Sequence, residues 1–365
     1  DFVVGNLQRR EGSKTWVPKW AQDVHRENRL RLTLDEVPEI LADVFSWNKL
    51  FRRSFFETVV KGFPEGVRYE DQEPTARAYA GASAFDVLSA PVYTWYVRDD
   101  GSSITQQKSN TRDLQDRLQV MRAVSTFLTR HASEYVVEHW HAKAIGLDLR
   151  AYYNGVPRTG DDFWVTLRDG VRGVASKMDS ASWALVDLHD RVLARLVERD
   201  EREDVCTVLR IREEYGDGKL VDPTPPHATG TPVYLRELQS TLDPVDLVLS
   251  PQEDRLTAGL MGYRVTGDKI EITGMAYVDG VDLELHPSKL SARLVPEPGD
   301  ALSDQPGQPS QLLPVRRTHV AAIDDLVNSA CVSQAAAGFV ATLRPTDLVR
   351  QLGSPADAEP WHGEV

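Results

Sequence analysis

The sequence predicts a mixed α/β region over residues 1–108, a helical segment over 109–204 and a β-sandwich-like region over 205–365. Three observations predict it. Up to about residue 108, short β-branched strands alternate with turns and short helices. Between about residues 113 and 200, apolar residues recur at three- and four-residue steps, the period of a helix with one buried face. Beyond about residue 205 the period falls to two, and Gly-Asp and Asp-Gly pairs mark tight hairpins. The 365 residues, at ~150 per domain, agree with two or three domains.

The elements follow in order. Asp1-Phe2-Val3-Val4-Gly5-Asn6 reads as a short buried strand ended by turn formers. Its backbone groups need neighbours, so it either pairs with later strands or belongs with earlier strands of a longer chain. Arg29 to Leu34 alternates as a strand, and Asp35-Glu36-Val37-Pro38 starts a helix. Ala76 to Leu88 is Ala-rich and helical, and Pro91 to Val97 is a β-branched and aromatic strand. Asp113 is placed to cap a helix whose Leu114, Leu118, Met121, Val124 and Leu128 form one apolar face. A second helix spans Ser180 to Asp200 and ends in the solvated charged run Glu198 to Asp204. Ile270 and Ile272 then alternate with Lys269, Glu271 and Thr273 between the hairpin signals Gly267-Asp268 and Asp279-Gly280. Leu290, Ala292 and Leu294 repeat the alternation, Pro296 to Pro314 reads as a mobile loop, and Gly338 to Leu343 is a strand.

Composition excludes several functions. Lys plus Arg number 42 against 55 Asp plus Glu, a net charge of −13, which opposes sequence-independent binding of nucleic acid. Cys206 and Cys331 show no CxxC spacing, which argues against a disulfide framework or thiolate zinc site and fits a reducing compartment. No apolar run approaches the ~20 residues that cross a bilayer. Glu138-His139-Trp140-His141 sets its two histidines on different faces of a helix and lacks HExxH spacing. Gly81-Ala82-Ser83-Ala84-Phe85 lacks the closing Gly of a nucleophile elbow, and no P-loop or GxGxxG fingerprint occurs.

The chemistry concentrates between Phe45 and Gln107. Glu70 and Asp71 precede Pro74, which a helix tolerates only near its first turn. Both carboxylates therefore sit at a helix N-terminus, either as an ordinary cap or as an ionised base able to take a proton from a hydroxyl. Arg98 leaves a strand and enters a turn with Gly101, Ser102, Ser103 and Thr105. A guanidinium and several hydroxyls on one loop suit a diphosphate, although Asp-Asp-Gly-Ser-Ser is also a common turn composition. Trp47-Asn48-Lys49-Leu50-Phe51-Arg52-Arg53 is a third piece, which read alone is equally a solvated basic face.

In this order and spacing the three pieces resemble the second half of a family-2 glycosyltransferase of the GT-A fold, over residues 1 to about 108. The resemblance implies an incomplete, Rossmann-like α/β domain and inverting transfer of a sugar from a nucleoside-diphosphate sugar to a hydroxyl. It makes Asp71 the general base with Glu70 supporting the acceptor site. Arg98, Ser102 and Ser103 would contact the diphosphate, and Trp47, Asn48 and Lys49 would line the sugar or acceptor side. The intact family also uses a divalent metal, Mn2+ or Mg2+, held by an Asp-x-Asp or Asp-Asp motif in an earlier half. Asp99-Asp100, Asp161-Asp162 and Asp324-Asp325 do not end apolar strands as that motif does. The resemblance therefore implies ~100 missing residues before Asp1, and residues 1–365 alone are expected to bind nucleotide sugar poorly.

A glycosyltransferase half, a helical segment and a β region carrying Ile272 to Leu283 resemble bacterial wall teichoic acid-type glycosyltransferases, some of which are fused to a CDP-glycerol glycerophosphotransferase. That likeness implies a cell-wall or surface polysaccharide acceptor and a location in the cytoplasm or at the inner face of the cell membrane. It also implies a β region serving homo-oligomerisation as a trimer, polymer binding or spacing, although on its own residues the β region is equally a purely structural sandwich. A reading from another class is a non-catalytic carbohydrate-binding or assembly module, in which Trp47, Tyr93, Trp95 and Tyr96 stack on sugar rings.

Overall fold

The computed structural model describes residues 1–96, 110–215, 221–222, 231–232, 235, 237–247, 249–250, 253, 256–278, 283, 289–296, 311–320, 323, 335–344 and 361–364. It is a mixed α/β protein whose chain divides into two compact units, Asp1–Leu209 with Gln239–Asp246, and Arg210–Leu238 with Leu247–Val365.

The first unit is built on a five-stranded sheet. Strand β1 (Phe2–Glu11) runs parallel to β5 (Phe85–Tyr96). The other edge of β1 is shared by β2 (Lys14–Trp16), on Arg9 to Glu11, and β4 (Lys49–Phe51), on Phe2 to Val4. Strand β3 (Arg29–Leu32) closes the far edge, antiparallel to β5. The opening strand is longer than its turn formers predict, because Gly5 and Asn6 form an irregularity in the ladder rather than its end. A Cβ at Gly5 would lie 2.5 Å from Val92, so the close approach requires glycine. Asn48 repairs the ladder there: its side-chain amide donates to the Gly5 carbonyl (2.9 Å) and its own carbonyl accepts from Gly5 N (2.9 Å).

Between β1 and β5 lie α1 (Lys19–Val24), a 3-10 turn over Pro38–Ala42, the short α2 (Arg53–Phe55), a π turn over Phe56–Val60, and α3 (Gln72–Gly81). Phe85 to Leu88 belong to β5, not to the Ala-rich helix the sequence predicts. Phe85 and Val87 are buried and pair with Phe2 and Val4, so tertiary pairing overrides local helix propensity. Gly81 to Phe85 accordingly runs from the end of α3 into that strand.

The rest of the first unit is mainly helices packed around the predicted stripe. Helix α4 (Thr111–His131) buries Leu114, Leu118, Met121, Val124 and Leu128. Its cap is Asn110, whose side chain accepts from Arg112 N at 2.8 Å, and not Asp113, whose carboxylate is buried among phenols. Helices α5 (Glu134–Lys143), α6 (Arg150–Tyr153) and α7 (Asp161–Ala175) follow. The single helix expected over Ser180 to Asp200 is two, α8 (Ser180–Ala184) and α9 (Leu188–Glu198). Asp187 adopts extended backbone between them, and Arg191 donates to the Val186 carbonyl that the break frees (2.6 Å). Helix α10 (Arg202–Tyr215) carries Asp204, which accepts from Gln239 N (2.9 Å) and Ser240 N (2.8 Å) and ties in the returning segment.

The second unit is antiparallel. A short ladder pairs β6 (Val221–Asp222) with β7 (Thr231–Pro232). Strands β8 (Leu256–Thr266) and β9 (Lys269–Val278) form the hairpin predicted at Gly267-Asp268, with Gly267 at φ +61°. Strand β10 (Ala292–Pro296) pairs with β11 (Gln311–Leu313) and β14 (Trp361–Glu364), while β12 (Val315–Thr318) and β13 (Gly338–Leu343) extend the sheet of β9. Ala276, Ala292, Leu313, Phe339, Ala341 and Leu343 form a core shared by the two sheets. Gln311 to Leu313 are thus a strand at the end of the stretch expected to be a loop, because Leu313 has a core to join. Asp279-Gly280 lies outside the described residues.

Candidate active site

The site is built at the N-terminus of α3. Asp71 occupies the capping position, yet its side chain makes no capping hydrogen bond. Its backbone carbonyl instead accepts from Thr75 N (3.1 Å) and Thr75 Oγ1 (2.7 Å). The carboxylate is half-buried, while Glu70 beside it is exposed. Tyr69, immediately before them, holds left-handed backbone at φ +61°, a conformation that costs a non-glycine residue about 1–2 kcal/mol.

Three buried aspartates fix the cations and phenols around this turn. Asp113 accepts from the Tyr69 hydroxyl (2.9 Å), the Tyr152 hydroxyl (2.7 Å) and Arg68 Nη1 (3.2 Å). The phenol of Tyr69 is pushed up to about 12, first by burial and then by the Asp113 charge, so it remains a donor. Asp148 pairs with Arg117 Nη2 (2.5 Å) and Lys143 Nζ (3.0 Å). Lys143 also reaches Gln72 Oε1 at 3.4 Å, and the Arg117 guanidinium lies 4.7 Å above the Tyr69 ring.

Asp43 is the third. It accepts from Lys49 Nζ (2.6 Å), Asn48 Nδ2 (2.7 Å) and His25 Nε2 (2.8 Å). Burial alone would push the Asp43 carboxyl up, and Lys49 with His25 more than offsets this and holds it below the usual range. The Lys49 and Asp43 side chains are both 0% exposed. The Asn48 and Lys49 side chains are therefore buried and spend their polar atoms on Asp43 and on backbone carbonyls, including that of Phe45 (2.6 Å).

Asp71 contrasts with Asp43. Burial, followed by repulsion from Glu70, raises its carboxyl from 3.8 to about 6, against the pull of Arg117 and Lys49. At pH 7 about nine in ten such groups are ionised, and a base whose affinity for protons lies near the working pH is efficient at taking one. A carboxylate in this state is chemically able to accept a proton from a hydroxyl brought beside it.

Trp47 lies apart from the carboxylates, in an aromatic cluster. Its ring stacks on Tyr93 (4.0 Å between centroids) and Phe45 (4.7 Å), with Trp95 edge-on at 6.2 Å. Arg9 covers Trp95 at 4.8 Å. The structure sets Asp71 and Glu70 side by side at the start of α3, with Lys49 attracting the Asp71 carboxylate, and places Trp47 with the aromatics; Arg98, Ser102 and Ser103 lie outside the described residues. Among the described residues, no group of three or more His, Cys, Asp or Glu side chains is placed to hold a metal ion. The histidines of the Glu138 to His141 stretch are used separately: His139 meets the Tyr135 carbonyl (2.9 Å), and buried His141 meets Ser125 Oγ (3.1 Å). Among the described residues, no helix is long and apolar enough to cross a membrane.

Sequence reasoning misses Arg117, Lys143 and Asp148. A signal exists for the first two. Arg117 falls in phase with Leu114, Leu118 and Met121 on the buried stripe of α4, and Lys143 lies one turn beyond Trp140 on α5. A charge in phase with an apolar face needs a buried partner.

No family model matches the chain, and no curated protein matches it. Among solved structures, the chain is similar to S. aureus TarS at 13% identity and a TM-score of 0.45, with 100% of this chain and 55% of that chain covered. It is also similar to S. aureus TarS 1-349 in complex with UDP-GlcNAc, at 17% identity and a TM-score of 0.45, covering 61% of this chain and 62% of that one. A third similarity, to S. aureus TarS 217-571, has 10% identity and a TM-score of 0.35, with 68% and 60% covered. The chain spans about half the length of TarS.

Proposed function

We propose that the first unit belongs to a glycosyltransferase of the family-2, teichoic acid type. On this reading it transfers a sugar, with inversion, from a nucleoside-diphosphate sugar to a hydroxyl of a cell-wall or surface polysaccharide. The supporting observation is Asp71, a half-buried carboxylate on a rigid helix end, free of capping duty and raised to about 6. Asp71 takes the proton of the acceptor hydroxyl as its oxygen attacks the anomeric carbon. The bond from that carbon to the diphosphate oxygen breaks, and the nucleoside diphosphate leaves with the electron pair. Glu70, exposed beside Asp71, faces the acceptor. Arg98, Ser102 and Ser103 are assigned to the diphosphate on the sequence resemblance, and Trp47 to the sugar side. The accessory role of the β region in a homo-oligomer and an action at the inner membrane face belong to the same proposal.

The test is Asp71→Asn in the full-length protein. Transfer from donor to acceptor polymer should fall by at least ~10^3-fold, with binding of the nucleotide sugar retained when read by calorimetry. Transfer at an ordinary rate in this variant refutes the assignment. The partly exposed pair Trp47 and Tyr93 favours a second reading, a module that only grips carbohydrate. That reading requires polymer binding without any transfer by the full-length wild type.

A further inference from the structure

The far end of the five-stranded sheet sets a cation among aromatic rings. β1 pairs with β4 at Val4 and Lys49, and five residues later, about 16 Å along the strand, it reaches Arg9. Arg9 pairs with Trp16 of β2 on one side and with Trp95 of β5 on the other. Paired residues share a face, so Trp16, Arg9 and Trp95 stand abreast. Tyr93, two residues before Trp95, lies on the same face and stacks on Trp47 at 4.0 Å. Trp16, Trp47 and Trp95 are partly exposed and Tyr93 is 41% exposed, so these rings reach solvent.

Arg9 lacks a counter-charge among the described residues. Its guanidinium lies 4.8 Å over the Trp95 ring, and its Nε is buried with no hydrogen-bond partner. A buried donor on a charged group calls for an acceptor, and a bound anion is one way to supply it. The neighbouring charges do not provide one. Residues 7–16 and 92–96 carry Arg9, Arg10 and Lys14 against Glu11. Glu11 stands opposite Lys14, whose Nζ lies 5.6 Å over the Trp16 ring. Arg10 is on the other face, 6.0 Å from the Tyr96 ring, with its Nε on the Gly12 carbonyl (3.1 Å). The balance here is positive in a chain whose net charge is −13.

We propose that Arg9, flanked by Trp16 and Trp95, is a subsite for an anionic carbohydrate chain. The rings cover carbon faces of the chain, and the guanidinium takes a phosphodiester or carboxylate that the same chain carries. A planar guanidinium already oriented on an indole suits the paired oxygens of either anion. The subsite rests on this ladder and not on Asp71, so it serves a transferase that grips its acceptor and equally a module that only binds.

The test uses the full-length protein and three oligomers of matched length: an oligo(glycerol phosphate), an oligogalacturonate and a neutral malto-oligosaccharide. By calorimetry, one anionic oligomer or both should bind at least roughly tenfold more tightly than the neutral one, and the preference should shrink as salt is raised. The tighter of the two identifies the anion. Arg9→Gln should abolish the preference, Arg9→Lys should keep part of it, and Arg10→Gln, on the opposite face, should leave it intact. Equal binding of charged and neutral oligomers overturns the subsite, as does a loss in Arg10→Gln as large as that in Arg9→Gln. NMR of the wild type gives a reading that needs no variant to fold. The Arg9 Nε–H resonance should move when the preferred anionic oligomer is added and stay in place with the neutral one; an unmoved resonance overturns the subsite. None of these readings involves transfer, so a wild type that transfers no sugar sinks the sugar-transfer reading and leaves the subsite standing.

Discussion

Replacing Asp71 by Asn should stabilise the first unit while removing its proposed activity, and the structure sets the size of the effect. The Asp71 carboxyl lies at about 6 in the folded protein against 3.8 as the ordinary value. That gap corresponds to about 3 kcal/mol, at ~1.36 kcal/mol per pKa unit. Because the side chain is only half-buried, solvent screens part of it, which leaves ~1–2 kcal/mol. The folded protein holds this proton more tightly than the unfolded chain does. The associated stability is therefore complete below about pH 4 and is lost as pH rises through about 6. At pH 8 the wild type bears the full cost of a buried anion, whereas Asn, of nearly the same shape, bears none. For a unit of this size the gain is worth about 3–6 °C in Tm. Calorimetric melts of both proteins at pH 8 and pH 4 check it: the variant should melt higher at pH 8 and level with the wild type at pH 4. A gain of equal size at both pH values, or a loss at pH 8, refutes the claim that burial strains this carboxylate.

Three further perturbations test the packing that supports the site. Lys49→Met leaves Asp43 buried with too few donors and should cost about 3–5 kcal/mol in urea unfolding, although a surface lysine would cost almost nothing. Burial, aided by Lys177, pulls His141 down to about 4 from 6.5, so it folds neutral and up to about 3 kcal/mol of stability disappears as pH falls through that window; His141→Gln should flatten this acid slope. Gly274→Ala would set a Cβ 2.5 Å from the Gly259 carbonyl and 2.5 Å from Phe339, and should destabilise the second unit by about 2–3 kcal/mol, read as faster hydrogen exchange along β8 and β9.

The sequence was legible wherever one period ruled. The stripe from Leu114 to Leu128 and the hairpin at Gly267 are found where the pattern puts them. It misled where distant partners decided the outcome. Phe85 to Leu88 continue an Ala-rich stretch and become strand because β1 is there to receive them. Asp113 has the right type and spacing for a cap and is instead taken by two phenols from Tyr69 and Tyr152, which lie 44 and 39 residues away. At the candidate site, adjacency placed Glu70 and Asp71 at a helix end, as Pro74 implies. No local pattern could say that Lys49, four residues past Phe45, turns inward to Asp43, or that Arg117 and Lys143 would share Asp148. Those are properties of packing between elements, and a single sequence holds them only as charges in phase with apolar faces.

Two aspartates at the same position of two helices show why Asp71 stands out. Asp179 precedes α8 and does what that position favours: its carboxylate accepts from Ser182 N and Ser182 Oγ, each at 2.9 Å, and those bonds hold it below the usual range. Asp71 precedes α3 with helical backbone (φ −80°, ψ −25°), whereas Asp179 is extended (φ −93°, ψ −174°), so the Asp71 side chain is not set over the first-turn donors. It makes no capping bond, and its carboxyl is raised instead of lowered. With no cap bond to hold it down, burial and Glu70 raise the Asp71 carboxyl, whereas the bonds from Ser182 lower that of Asp179. Folded proteins keep such groups at a cost and tend to keep them where a site needs a group it could not otherwise have.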